Sequence, residues 1–510
     1  MIGRTFSVAL VGVEGAVVEV EADLADGLPG LSIIGLPDAS LSEARDRIKS
    51  AVQNSRLTWP VRKVTLALMP ATLPKSGSSY DLALAVAVLA AARSIPVEPL
   101  EKLIMIGELG LDGRVREIRG VLPMVLAANR AGWQRFVVPA ANAAEARLVP
   151  DIEVLAVRTL GDVVTLLTTG LVPVIDLDDL GGGERSVTSE GVGLDLSQVG
   201  GQVRARRALE VAAAGGHHVF LMGAPGAGKT MLAERLPTIL PDLPFQWALE
   251  VSAIHSVAGL LSNGDPLVNR PPFRAPHHTV TVPALVGGGS GVLRPGEVSC
   301  AHRGVLFLDE APEFAMGTLD ALRQPLESGV VRITRARGSA AFPARVMLVL
   351  AANPCPCARA TTTPGSCTCS PNTRRRYLAK LSGPLMDRVD LRIQVDPVSR
   401  ADLVADSSSI ESSTVVGARV AAARASSAER LRGTPWLLTG DVPSHELRTR
   451  WPLTPEVMAG AMRCLDHGQL SARGLDRVVR VAWTLADLAG KASPGLAEMG
   501  EALSMRLEVG

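Results

Sequence analysis

The stretch HVFLMGAPGAGKTML, residues 218–232, decides how this chain is read. An apolar run up to Met222 gives way to a glycine-rich loop, and Lys229 opens a helical pattern. Gly223, Gly228, Lys229 and Thr230 satisfy the spacing G-x-x-x-x-G-K-[ST]. In such a loop, here Gly223, Ala224, Pro225, Gly226, Ala227, Gly228, Lys229, Thr230 and Met231, backbone N–H groups close around the phosphates of a nucleotide. Lys229 offers a point charge to the β and γ phosphates, and Thr230 a hydroxyl to Mg²⁺. Chance can produce the pattern, but a strand before it and a helix after it are the context its chemistry needs.

Two further strands support that reading. GVLFLDE, residues 304–310, is an apolar strand ending in Asp309 and Glu310. An acidic pair there sits where parallel α/β sheets bind ligands. Asp309 would join the Mg²⁺ shell and Glu310 would polarise the attacking water. The plainer reading, a strand followed by a helix cap, is compatible with the functional one. RVMLVLAANP, residues 345–354, is a strand running into Asn353, whose amide would orient the water against the γ-phosphate. Asn-Pro alone is only a turn signal. From Asp195 to about Asp396 helices and strands alternate, which predicts a parallel α/β sheet.

The rest of the chain bounds the function. It has 510 residues, 47% hydrophobic and 20% charged, enough for about three domains. Net charge is +1 and aromatics are 3%, so there is no global basic field and no composition for an extended base-stacking groove. Contact with DNA must come from local clusters. The opening MIGRTFSVALVGVEGAVVEVEADL alternates like a strand, and Glu19 and Glu21 interrupt any signal-peptide core. The longest apolar runs, such as Ala83–Ala92, fall well short of the ~20 residues of a membrane span and read as buried helix. These features predict a cytoplasmic protein without membrane contact. Boundaries are expected at 1–170, a glycine-rich acidic linker at 171–194, a nucleotide-binding core at 195–396, and a helical region at 397–510.

Four of the six cysteines crowd into Cys355-x-Cys357 and Cys367-x-Cys369. In the cytoplasm disulfides are disfavoured, so such a cluster reads as metal ligands or redox groups. Four soft thiolates fit tetrahedral Zn²⁺, with an iron–sulfur cluster or a redox switch as alternatives. Cys300 and Cys464 are isolated and are expected to be buried, unreactive thiols. His277 and His278 have no cysteine or acidic partner at ligand spacing and are read as satisfied or exposed. Arg374, Arg375 and Arg376 follow the cysteines and would touch DNA, a neighbouring subunit, or only solvent. VVRITRARGSAAFPARVML, from residue 330, predicts a hairpin carrying Arg332, Arg335 and Arg337. Cations on a projecting hairpin suit phosphate tracking, and arginine is also common on solvated edge hairpins.

The order of glycine loop, acidic strand and polar strand resembles the AAA+ ATPases. PPFRAPHHTVTVPALVGGG, PGEVSCAHRGVLFLDEAPEF, LRQPLESGVVRITRA and SGPLMDRVDL resemble the magnesium-chelatase-like members, and the whole chain resembles their ComM/YifB-type branch. The resemblance implies a homo-hexameric ring that binds ATP and Mg²⁺. It also implies movement on branched or single-stranded DNA, with branch migration during natural transformation and recombination proteins as partners. It places the arginine finger at Arg388, whose plainer reading is a surface ion pair with Asp387 or Asp390. It places the second sensor in the lid helix at Arg473, with Arg477 as the alternative, and a pore-facing insert at Arg274–His302. A chelatase-type chaperone subunit, driving Mg²⁺ into a porphyrin through a partner, is the second function class.

LPKSGSSYDLALAVAVLAA and GELGLDGRVREIRGVLPMVLAANRAGWQRFVVPAAN resemble the two catalytic segments of Lon-type proteases. Ser79 falls at the nucleophile position, but Leu122 stands where the general-base lysine belongs. Lys75 occupies a different position of the pattern. A serine hydroxyl without a base is a weak nucleophile, so this region is expected to be a peptidase-inactive scaffold.

Overall fold

The computed structural model describes residues 2–35, 39–75, 77–171, 193–262, 265–289, 293–335, 338–357, 367–398 and 410–507, apart from the side chains of 39–42 and 338. Most of the expected linker, and Arg337, lie outside the described residues.

The chain opens with an antiparallel hairpin, β1 (Ile2–Val11) and β2 (Glu14–Ala25), in register from Ile2↔Asp23 to Val11↔Glu14. Alternation is strict on β2: Val18, Val20 and Ala22 are buried, while Glu19 and Glu21 face out and pair with Arg4 at 2.6 and 2.9 Å. With β3 (Gly30–Ile34), β4 (Lys63–Met69), β5 (Ile104–Met105), β8 (Arg135–Pro139) and β9 (Glu153–Val157) the hairpin forms a seven-stranded mixed sheet, order β3-β4-β2-β1-β5-β8-β9. Between β5 and β8 lies a short ribbon of β6 (Glu108–Leu109) and β7 (Val115–Arg116). Ala9 and Val8 point into different cores, as neighbours on a strand must. The first core holds the helix Asp81–Ala91, every residue of which is buried, as its all-round apolar sequence requires. The second holds the helix Val121–Arg130.

The second sheet is built from β10 (Val219–Gly223), β11 (Phe273–Arg274), β14 (Val305–Leu308), β17 (Met347–Ala352) and β18 (Leu391–Val395), in the order β11-β14-β17-β10-β18. All four ladders are parallel. β14 and β17 are buried from end to end, which is why they read as unbroken apolar runs. Outside this sheet stand a ribbon, β12 (Gly287–Gly288) with β13 (Arg294–Pro295), and a hairpin, β15 (Val330–Arg335) with β16 (Gly338–Pro343). The expected alternation over 195–396 is thus a parallel sheet with helices around it. Beyond it lie helices: Ser413–Arg430, Ser444–Arg450, Pro455–Asp466, Ala472–Leu488 and Leu496–Leu507. Ser412, Thr454 and Ser471 cap three of them through their hydroxyls. Val478 and Trp483 of the fourth share one core with Val219 and Leu391, so these helices close over the parallel sheet. No described helix is long and apolar enough to cross a membrane.

The two sheets meet through the helix Phe245–Ala258. Its Leu249 and Ala253 enter the core of Val121 and Leu122. Its Ser256 Oγ donates to Glu145 Oε1 at 3.3 Å, and the Leu122 amide donates to the same oxygen at 3.2 Å. Burial pushes the Glu145 carboxyl up from 4.5 to about 7, and these donors only partly offset it. Between those values the folded chain keeps a proton that the unfolded chain releases. Stability therefore falls as pH rises through that window, by up to roughly 1.4 kcal/mol per unit. Glu145→Gln keeps an acceptor but cannot ionise, so its denaturation midpoints are expected to vary less with pH there. An unchanged pH slope would remove Glu145 from that account.

Candidate nucleotide and metal sites

The glycine loop leaves β10 and enters the helix Lys229–Arg235. Gly226 and Gly228 take φ values of +76° and +89°, the left-handed region that a side chain disfavours. The loop sits beside β17, so residues far apart in sequence converge. Lys229 Nζ donates to the carbonyls of Gly223 at 2.8 Å and Ala224 at 3.0 Å, and to Asn353 Oδ1 at 3.0 Å. Thr230 Oγ1 donates to Asp309 Oδ2 at 2.6 Å. Lys229 is buried; burial lowers its ammonium's pKa, and Asp309 and Glu310 oppose that. The hydroxyl and carboxylate suited to Mg²⁺ are adjacent, and the lysine and the polar amide share one point. The residues present therefore fit a nucleotide with its magnesium ion.

Glu310 follows Asp309 at φ 49°, unusual for a residue with a side chain, and its amide donates to Asp309 Oδ1 at 2.8 Å. Its carboxylate faces His278 Nδ1 at 3.7 Å. The reading of the paired histidines as satisfied or exposed agrees with this: His277 is exposed, and His278 has an acidic neighbour that lies at no ligand spacing in the sequence. The acid comes from the end of β14, 32 positions away, and no local spacing reveals it. The His277 and His278 rings lie 4.0 Å apart, and His278 is edge-on to Phe314 at 6.5 Å.

Arg388 lies just past the helix Gly383–Met386. Nη2 reaches Glu327 Oε2 at 2.6 Å and Nη1 the Pro384 carbonyl at 2.8 Å. The ion pair of the plainer reading is thus made with Glu327 and not with Asp387 or Asp390, because both of those acids face the helix Ala472–Leu488. Asp387 lies 3.6 Å from Arg473, whose side chain is 74% exposed. Asp390, buried at 3%, pairs with Arg477 at 3.0 Å and accepts from the His218 amide at 3.0 Å. Burial alone would raise the Asp390 pKa; Arg477 and His217 overcome it and hold the carboxyl well below the usual range. Arg480 bonds Ser444 Oγ at 3.1 Å. Of the three arginines spaced along one helix, Arg473 is thus the solvent-facing one, while Arg477 ties helix to sheet.

The cysteines converge. All four sulfur atoms lie within 4.8 Å of one another. Cys357 lies 3.0 Å from Cys355 and 3.4 Å from Cys367, which is 3.4 Å from Cys355. The Cys369 amide draws the Cys367 thiol down to about 6, whereas burial pushes Cys355 up to about 12. Four thiols at this separation can hold one soft metal ion. Cys300 is buried and pushed up to about 12 by that burial, as an unreactive thiol would be. Cys464 is only half-buried, which corrects its expected burial. Arg374, Arg375 and Arg376 are all exposed on the helix Pro371–Leu378 after the cluster.

On the β15–β16 hairpin Arg332 and Arg335 are exposed, while Val331, Ile333, Ala340 and Phe342 are buried on the face opposite Arg332. In the first sheet's region, Ser79 stands at the start of the helix Asp81–Ala91. Lys75 is buried and its ammonium donates to the carbonyls of Gly35, Leu68 and Pro70. Leu122 is fully buried among apolar neighbours.

With this geometry in view, similarity to known proteins becomes specific. Family profiles described as "Magnesium chelatase, subunit ChlI", "Subunit ChlI of Mg-chelatase" and "Magnesium chelatase, subunit ChlI C-terminal" match residues 195–403, 20–142 and 410–506. An uncharacterized protein of Mycobacterium tuberculosis is 54% identical over 99% of this chain and 98% of its own length. The competence protein ComM of Haemophilus influenzae is 38% identical over 99% of this chain and 97% of its own. YifB of Escherichia coli is 39% identical over 94% and 92%. The Lon protease of Salinispora arenicola is 32% identical over 190 residues, 35% of this chain and 24% of that protein. The chain belongs to the magnesium-chelatase-like AAA+ family, in its ComM/YifB-type branch.

Proposed function

We propose that the protein is an ATP-driven, hexameric DNA motor that drives branch migration, acting in the cytoplasm on DNA taken up by transformation. The observation that carries this reading is the convergence of Lys229 with Asn353 and of Thr230 with Asp309. That convergence belongs to a chain resembling a competence protein along almost its whole length. In this reading the loop Gly223–Met231 binds the phosphates, Thr230 and Asp309 hold Mg²⁺, and Lys229 and Asn353 contact the γ-phosphate side. Glu310 activates water, Arg388 reaches the neighbouring subunit's nucleotide, and Arg473 acts as second sensor. Magnesium held by Thr230 and Asp309 would neutralise charge that develops on the phosphates. Arg332 and Arg335 supply the cations that DNA phosphates require. The chain divides into a peptidase-inactive Lon-like unit (1–170), a linker (171–194), the AAA+ core (195–396) and a helical lid (397–510).

The test uses a labelled mobile four-way junction, ATP and Mg²⁺, with Lys229→Ala in parallel. Wild-type protein is expected to resolve the junction, and the variant to show no activity above background. Assembled rings that neither move the junction nor hydrolyse ATP faster with DNA would displace this reading. The family profiles take their name from a chelatase subunit, and that favours one second reading: remodelling of a protein–porphyrin complex with the same engine. The same negative result would move the assignment there.

A further inference from the structure

We propose that the turn joining β1 and β2 is a strut that sets the arginine hairpin, making Gly12 and Val13 positioning residues for DNA-stimulated ATP hydrolysis. β15 pairs only with β16 among the described residues, and an isolated two-stranded hairpin is marginal in water. It needs cover on its apolar face, formed by Val331, Ile333, Ala340 and Phe342. Part of that cover comes from more than 300 positions away: Leu10, Val11 and Val13 pack into the same core. The turn is apolar, with valine on both sides of Gly12, where a solvated turn would carry polar residues. Gly12 is buried and sits at φ +68°. A Cβ built there would lie 3.1 Å from Ala340 Cβ and 3.2 Å from the Ala341 carbonyl oxygen. The turn therefore rests on the β16 backbone, on the side of the hairpin away from Arg332.

The consequence is mechanical. β1 and β2 form a long, continuously paired hairpin inside the seven-stranded sheet. Its far end is a rigid arm, anchored in the Lon-like region and bearing on the hairpin that presents Arg332 and Arg335. This gives a peptidase-inactive region work that its fold performs without a nucleophile. The proposal rests on the reading that the hairpin arginines contact DNA.

The test measures ATP hydrolysis by the full-length protein with and without DNA. Asparagine tolerates left-handed φ, so Gly12→Asn isolates the added side chain. The expected result is unchanged basal turnover, unchanged ring assembly and DNA stimulation reduced about fivefold or more, the scale of a misfit in a packed contact. Ala340→Gly, which removes the facing methyl but leaves the Ala341 carbonyl, is expected to restore part of the stimulation in the double variant. Val13→Ala carries the test if Gly12→Asn fails to fold, with a smaller loss of stimulation expected. Full stimulation in Gly12→Asn, or no rescue by Ala340→Gly, would overturn the strut. Equal loss of basal and stimulated turnover would also overturn it, as general damage. The double variant Arg332→Ala/Arg335→Ala separates the two layers. If it keeps wild-type DNA stimulation, the DNA reading of the hairpin fails. If it loses stimulation while Gly12→Asn does not, only the strut fails.

Discussion

Arg388→Ala is expected to lower ATP turnover about 10³–10⁵-fold while rings still assemble, the range for an arginine that stabilises phosphoryl-transfer charge. The side chain is suited to that work. Its guanidinium is held by Glu327 at 2.6 Å and by the Pro384 carbonyl at 2.8 Å, so the planar fork has a defined orientation. It follows the short helix Gly383–Met386, on the connection into β18, the strand beside β10 and its glycine loop. Arg388→Lys is expected to rescue little, because a lysine presents a point charge without the bidentate fork. Mixing separates action across the subunit boundary from action within one chain. Arg388→Ala and Lys229→Ala subunits each lack a different part of the site. If Arg388 reaches the neighbouring nucleotide, mixed rings contain some complete sites and regain part of the activity. Mixed rings as inactive as their parents, or an Arg388→Ala variant near wild-type turnover, would sink the assignment.

Loss of one cysteine of the cluster is the second large effect. Structural zinc contributes roughly 10–16 kcal/mol of apparent binding energy in small finger peptides. The segment 355–369 has no apolar residue beyond alanine between its cysteine pairs, so a metal is the natural closure of this loop. Cys355→Ser is expected to cut metal affinity beyond the roughly 10–100-fold that follows loss of an outer hydrogen-bond partner. The wild type is expected to hold one zinc per chain by elemental analysis. Acidification should release it, since protons compete for thiolates and the site's affinity falls as pH falls. Cys355 and Asn353 are two positions apart, so metal loss should also disturb the Asn353–Lys229 contact and reduce ATP turnover. An isolated protein with no zinc, with visible iron–sulfur absorption, or with full turnover after Cys355→Ser would redirect the assignment.

The sequence by itself was decisive where chemistry is local. The spacing from Gly223 to Thr230 needs only a strand before it and a helix after it, and both are there. β14 and β17 are legible because strands buried on both faces must be apolar throughout, with their first polar residues marking the ends where ligands bind. The cysteine pairs declare themselves because two close pairs within 15 residues can meet without help from the rest of the fold.

The tertiary structure alone decided the partners. His278 finds Glu310, Arg388 finds Glu327, and Arg477 finds Asp390 across 87 positions. A side chain's partner across such separations depends on how sheet and helices are superposed, and no period of 2 or 3.6 residues carries that information. Arg473 and its alternative Arg477 lie on one helix with Arg480; packing against the sheet gave the three unequal exposure, and only Arg473 is left open to solvent. The seating of the β1–β2 turn against the arginine hairpin is of the same kind. Val11-Gly12-Val13 is apolar where a solvated turn would be polar, and only the fold reveals its cover, a second hairpin more than 300 residues later.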